Sequence, residues 1–222
     1  MSTTPRRGRL TDRAYVYLRD AILRGELPVG RVLVESEIAT SLQQSRTPVR
    51  QALGLLLQEG LVEVGRRRQL VVRGFTPEHR SEILMLREAL EGVAVRRACE
   101  VMEIEDIDYL RLLLIRQRRA ADEGREDDFI DLDEELHLKI AAGARLPILH
   151  RVLGQLRGFV RVVRLGRRRS PEALARVVQE HEDIVDAIES RDAERALEAL
   201  REHIYASAEV TFASAANGEA AR

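Results

Sequence analysis

The feature that most constrains this chain is a change of pattern at Gly74-Phe75-Thr76-Pro77. Before it, short helical segments alternate with β-rich stretches. After it, apolar residues recur at helical spacing and no strand pattern appears. Six helical segments follow the change, at 77–100, 104–123, 126–142, 146–168, 171–190 and 192–213, with breaks at Gly124, Gly143 and Ser170-Pro171. Successive helices joined by short connections predict an antiparallel six-helix bundle. Gly74 breaks the preceding strand, while Thr76 can cap a helix that has Pro77 at its first position, where no N–H is needed.

The first part reads differently. Residues 10–24 form a helical pattern that Thr11 can cap, with Ala14, Tyr17, Leu18, Ala21 and Ile22 inward. Gly25, Pro28 and Gly30 break it. A short helix is expected from Glu35 to Gln43, then a turn, then a helix opened by Thr47-Pro48 and closed by Gly60. Val49, Ala52, Leu53, Leu56 and Leu57 make its apolar stripe. Strands are expected at Leu61–Val64 and Leu70–Arg73, joined by a tip of Gly65, three arginines and Gln69. Helix, helix, turn, helix and basic hairpin is the layout of a winged helix-turn-helix. The expected fold is therefore mostly α, a winged helix-turn-helix followed by an all-α bundle.

Charge divides at the same place. The formal net charge of −1 combines 13 Arg and 7 acids in residues 1–75 with 23 basic and 30 acidic residues beyond. A basic module fused to an acidic one points to a polyanion partner for the first only. No apolar run approaches the roughly 18–20 residues that span a bilayer. The N-terminus has no apolar signal core, so a cytoplasmic protein without membrane contact is expected. The single cysteine, Cys99, lies in a helical pattern and is expected as a small buried hydrophobe.

In a helix-turn-helix the second helix enters the major groove with its first residues nearest the base edges. Those residues are Ser45, Arg46, Thr47 and Arg50. Arg46 and Arg50 share one face, and arginine there can bond guanine O6 and N7 together. The hydroxyls of Ser45 and Thr47 suit a phosphate. Arg66, Arg67 and Arg68 at the wing tip should reach the DNA backbone or minor groove. Two-fold DNA is matched by a two-fold protein, so a homodimer on a short inverted repeat of double-stranded operator DNA is expected.

In the second part, Asp133 and His137 stand four apart at the border of a buried face. His181 lies among Val177, Ile184 and Ile188, and His203 among Ala199, Leu200, Ser207 and Val210. Three inward imidazoles and an inward carboxylate have the composition of a divalent-metal site, for which Zn, Ni and Mn are all compatible. His79 and His150 fall outside these faces and are expected at the surface. Arg87 lies between Ile83, Leu90 and Ala94. It either clamps the carboxylate of a small organic acid or pairs with a nearby glutamate. Arg157, Arg161 and Arg164 form a stripe beside an apolar face, mostly solvated, with Arg164 nearest the core edge as an effector contact.

The stretch AILRGELPVGRVLVESEIATSLQQSRTPVRQALGLLLQEGLVEV resembles the DNA-binding domain of the GntR family, and residues 78–212 resemble the FCD ligand-binding domain of its FadR-type branch. Six helices place the chain nearer the VanR-like group. The resemblance implies DNA contacts at Arg46, Thr47 and Arg50, backbone contacts near Ser36, and metal ligands at Asp133, His137, His181 and His203. It implies a transcription regulator, in most such families a repressor, controlled by a small carboxylic acid. The sequence departs from the family at Gln69, where a glycine is usual, and at Arg145, where many relatives carry asparagine. The resulting division is a disordered 1–9, the winged domain at 10–73, a linker at 74–77, the ligand-binding domain at 78–213 and a frayed tail at 214–222. Two other readings of the histidines stand beside this one. A metal-dependent hydrolase is opposed by the lack of a base, nucleophile or phosphate loop. A purely structural ion is the other.

Overall fold

The computed structural model describes residues 6–166 and 168–218, with backbone alone for 6–9 and 208–218. The chain divides into two compact units. One holds the residues up to Thr76 together with Gly158–Gly166, and the other holds Pro77–Arg157 together with the chain from 168 onward. The chain passes from the first unit to the second between Thr76 and Pro77, and the segment 158–166 belongs to the first unit.

The first unit contains α1 (Arg6–Leu23), α2 (Glu35–Ser41), α3 (Arg46–Glu59), β1 (Val62–Val64) and β2 (Leu70–Val72). Leu18 and Ile22 of α1 and Val49, Leu53 and Leu56 of α3 are fully buried in one core, joined by Val162. Leu53→Ala leaves a cavity there and is expected to lower stability by about 2–5 kcal/mol, read by chemical denaturation. β1 and β2 pair antiparallel in the register Val62↔Val72, Glu63↔Val71 and Val64↔Leu70. The far edge of β2 is also paired, through a bridge between Val32 and Val71. Sequence pattern does not reveal that bridge, because so short a partner carries no alternation.

Several local expectations are corrected. Helix α1 begins at Arg6, inside the stretch expected to be disordered, and residues 1–5 lie outside the described residues. Thr11 is therefore within the helix, not its cap, and its hydroxyl donates to Gln51 Oε1 at 2.9 Å. Tyr17 and Leu57 are exposed, while Tyr15 is half-buried and donates to Glu59. Helix α3 starts at Arg46 behind Ser45, whose extended backbone (φ −73°, ψ 161°) makes it the N-cap. Pro48 is the third helical residue, still among the positions whose N–H lacks a helical partner. Gly60, left-handed at φ 77°, ends α3 by donating to the carbonyls of Leu56 and Leu57.

The wing tip closes through Arg68 N–H to Gly65 O (2.9 Å) and Gly65 N–H to Gln69 O (2.8 Å). Arg68 takes the left-handed conformation, φ 58°. The Gln69 side chain folds over Gly65, where a Cβ would lie 2.9 Å from Nε2. The glycine thus makes room for the bulk that Gln69 adds.

The second unit is built from α4 (Pro77–Val101), α5 (Ile104–Asp122), α6 (Glu126–Gly143), the first part of α7 (Pro147–Arg164), α8 (Pro171–Glu189) and α9 (Ala193–Gly218). No strand occurs among its described residues. Helix α8 packs on α5 and α9, and α4 on α9 and α6. Leu110, Leu113, Leu136, Ile184 and Leu200 form the centre of the core, with Cys99 buried beside them. Ser170 caps α8 at the expected break, its hydroxyl accepting from Ala173 N–H at 3.3 Å ahead of Pro171. The segment expected to end at 168 stops at Arg164. Helix α9 continues through 214–218, part of the expected frayed tail, and 219–222 lie outside the described residues. Arg145 is left-handed at φ 57° and its guanidinium pairs with Glu103. Asparagine tolerates that conformation better than arginine, which accounts for the residue usual in the family. Among the described residues, no helix is long and apolar enough to cross a membrane.

Candidate functional site

Three of the second unit's helices contribute ligand-type atoms to one point. Helix α6 supplies Asp133 and His137, α8 supplies His181 and α9 supplies His203, and one ligand atom of each lies within 4.8 Å of all the others. All four residues are buried. The imidazole centroids are 4.6 to 5.2 Å apart. Each helix buries these residues because they stand on its apolar face, one turn from Leu136, Ile140, Ile184 or Leu200.

Hydrogen bonds fix which nitrogen each ring turns inward. Gln117 on α5 donates through Nε2 to Leu132 O (3.0 Å), so its Oε1 accepts from His181 Nδ1 (2.8 Å). Glu91 on α4 lies 2.7 Å from His137 Nδ1, and Glu180 lies 2.9 Å from His203 Nδ1. With Nδ1 engaged in all three, Nε2 is the atom left for the centre, the arrangement by which partners behind a histidine orient it toward a metal. Nε2 of His137 and of His203 is buried without a hydrogen-bond partner. Buried polar atoms are rarely left so. A divalent cation fits this donor set, three imidazoles and one carboxylate.

The electrostatics agree. Burial, aided by the Arg157 guanidinium, pushes His137 below the ordinary imidazole range; burial and the two neighbouring rings push His203 well below it. Both are therefore neutral and carry a lone pair. Burial alone would raise the Glu91 carboxyl, but Arg87, His137 and Arg157 together hold it well below the usual carboxylate range. Glu180, shielded by burial, is pushed up to about 7.

Two arginines complete the cluster. Arg87 Nε donates to Glu91 Oε1 at 2.8 Å, so the pairing with a nearby glutamate is the arrangement observed, while its Nη2 remains buried without a partner. Arg157, expected to be solvated, is 2% exposed and its Nη2 bonds Asp133 Oδ2. Arg164 belongs to the same helix. It lies seven residues beyond Arg157, about 10 Å further along the helix, in the segment that packs with the first unit. Glu91, Gln117, Glu180 and Arg157 were missed from the sequence. Arg157 stands between the buried Leu153, Leu156 and Val160, and Gln117 between Leu113, Leu114 and Ala120, so inward spacing was the available signal. His79 is exposed and His150 half-buried.

In the first unit, Ser45, Arg46, Thr47 and Arg50 are all exposed at the start of α3, and Arg66, Arg67 and Arg68 at the wing tip. Ser36, the second residue of α2, is half-buried. Arg50 is held against Glu35, with Nη2 2.9 Å from Oε2.

A winged helix-turn-helix joined to an all-helical unit is the architecture of a DNA-binding regulator. Residues 10–72 match the family model of bacterial regulatory proteins of the gntR family, and residues 82–206 match the FCD domain. The chain is 32% identical over 197 residues to an uncharacterized HTH-type transcriptional regulator in an unstable DNA locus of Streptomyces ambofaciens, covering 86% of this chain and 80% of that one. It is 28% identical over 193 residues to the transcriptional repressor RspR of Escherichia coli K12, covering 86% and 83%. Its fold superposes on E. coli McbR/YncC with a TM-score of 0.84 and 24% identity, over 97% of this chain and all of that one. The chain belongs to the GntR family and carries an FCD domain. It is a DNA-binding transcription regulator and not an enzyme, which removes the hydrolase reading.

Proposed function

We propose that this regulator is a repressor whose hold on a short inverted-repeat operator is controlled by a small carboxylic acid bound at a divalent cation in the FCD domain. The observation that carries the reading is the orientation of the rings, three histidines each engaged at Nδ1 and turning Nε2 to the same buried point beside Asp133. Asp133, His137, His181 and His203 would hold the ion, with Zn, Ni or Mn all compatible. When bound, the ion supplies Lewis acidity that anchors a carboxylate. Arg87, with its free Nη2, and Arg157 are the guanidiniums placed to take the acid's other oxygens. Burial excludes water, so the polar contacts gain strength. A purely structural ion would leave Arg87 Nη2 buried without a partner.

On the DNA side, a homodimer presents two copies of α3 to successive major grooves, where Arg46 and Arg50 read base edges and Ser45, Thr47 and Ser36 contact phosphates. Arg66, Arg67 and Arg68 add backbone or minor-groove contacts. Replacing all three by alanine is expected to reduce the slope of log affinity against log salt by up to about 3 per half-site, measured by titrating a labelled duplex at several ionic strengths. Helix α7 carries Arg157 in the cluster and, from Gly158, the segment that packs with the winged unit. Effector contact with Arg157 therefore acts on a helix shared by both units, and the Gly74–Pro77 linker allows the reading heads to shift.

A thermal-shift screen of small carboxylic acids with and without added metal tests the effector reading. Acids are expected to raise the melting temperature only of metal-loaded protein. A structural ion would give a metal response and none from any acid. Gln117→Leu removes the acceptor behind His181, and metal affinity is expected to fall about 10–100-fold, measured by competition with a chelating dye.

A further inference from the structure

The exposed arginine at the fifth position of α3 is not free to wander. Arg50 Nε lies 3.1 Å from both carboxylate oxygens of Glu35, and Nη2 lies 2.9 Å from Oε2. Glu35 opens α2 and Arg50 is in the second turn of α3, so the pair ties the two helices of the helix-turn-helix at their DNA-facing ends. We propose that Glu35 is the positioning residue that sets Arg50 as a reader of guanine. This rests on the reading that the start of α3 enters the major groove.

A guanidinium has five N–H donors in a fixed planar fork. The side-on edge, Nε–H with one Nη2–H, is committed to the carboxylate. The end-on edge, Nη1 with the outer Nη2–H, stays available and matches the two acceptors O6 and N7 of guanine. Adenine offers only N7 as an acceptor on that edge and an amino group beside it, which the second donor meets unfavourably. An arginine without the carboxylate keeps its charge and can still reach a phosphate, but it must order a long side chain before it can discriminate. Glu35 therefore contributes specificity. Its negative charge gains no phosphate contact, and removing it takes none away.

The test uses the full chain and the duplex that wild-type protein selects from a random library, with each base pair of the half-site varied in turn. Arg50→Ala is expected to erase the guanine preference at one base pair. Glu35→Gln is expected to lower the guanine preference at that same base pair by roughly 5- to 150-fold, with an unchanged salt slope and melting temperature. Glu35→Asp, which keeps the charge on a shorter stem, should recover part of it. If Glu35→Gln retains the preference that Arg50→Ala loses, the positioning role is overturned while groove reading stands. If Arg50→Ala leaves every preference intact, both are overturned. A loss with Glu35→Gln that is equal for all bases and for random duplex also overturns the role, since it marks a structural defect.

Discussion

Replacing His181 and His203 together by alanine is expected to abolish the rise in melting temperature that Zn, Ni or Mn gives the wild-type chain. Stabilisation by a ligand that binds only the folded state is about 2.7 kcal/mol at a hundredfold excess over Kd, a shift of roughly 5–10 °C for a unit of this size. The two rings come from different helices, α8 and α9, and each is oriented from behind, by Gln117 and Glu180. Removing both leaves Asp133 and His137 on one helix, too few donors for a closed site. Deleting two buried side chains also opens a cavity and lowers the absolute melting temperature. The informative quantity is therefore the difference with and without metal, measured on each protein. A rise that persists in the double variant would show that the ion binds elsewhere.

Arg46→Ala is expected to remove most discrimination between operator and random duplex. Arg46 is the first residue of α3 and its side chain is exposed. A bidentate contact to guanine contributes about 1–3 kcal/mol of discrimination, and a two-fold complex makes it twice. The expected loss across both half-sites is therefore on the order of a hundredfold or more, while affinity for random duplex falls only by one phosphate-scale charge per subunit. Quantitative gel shift with operator and scrambled duplexes measures both. Unchanged discrimination would refute the role of Arg46.

How much of this was legible in the sequence depends on range. The helices of the second unit were readable because their apolar residues keep a 3.6-residue period over many turns, as with Leu110, Leu113 and Leu114 on α5. The buried His/Asp cluster was readable as well. Asp133 and His137 are one turn apart, and His181 and His203 sit among residues that must be inside. What escaped was decided by partners distant in sequence. Arg157, Arg161 and Arg164 look alike as a stripe. Asp133, 24 residues away, draws Arg157 into the core, whereas Arg161 donates to the carbonyl of Leu23, 138 residues away. The Arg50–Glu35 fork escaped for the same reason, and so did the bridge that adds Val32 to the edge of β2. The start of α1 was missed because residues 6–9 are polar and carry no period to read.

The most direct test measures the affinity of the full chain for its selected operator duplex while small carboxylic acids are titrated, once with metal and once with excess chelator. If the cluster of Asp133, His137, His181 and His203 is the sensor, an acid shifts DNA affinity in the metal-loaded protein, and the shift vanishes both with chelator and in the His181/His203 alanine variant. An acid that shifts DNA affinity equally in the chelated protein and in the variant would contradict the account.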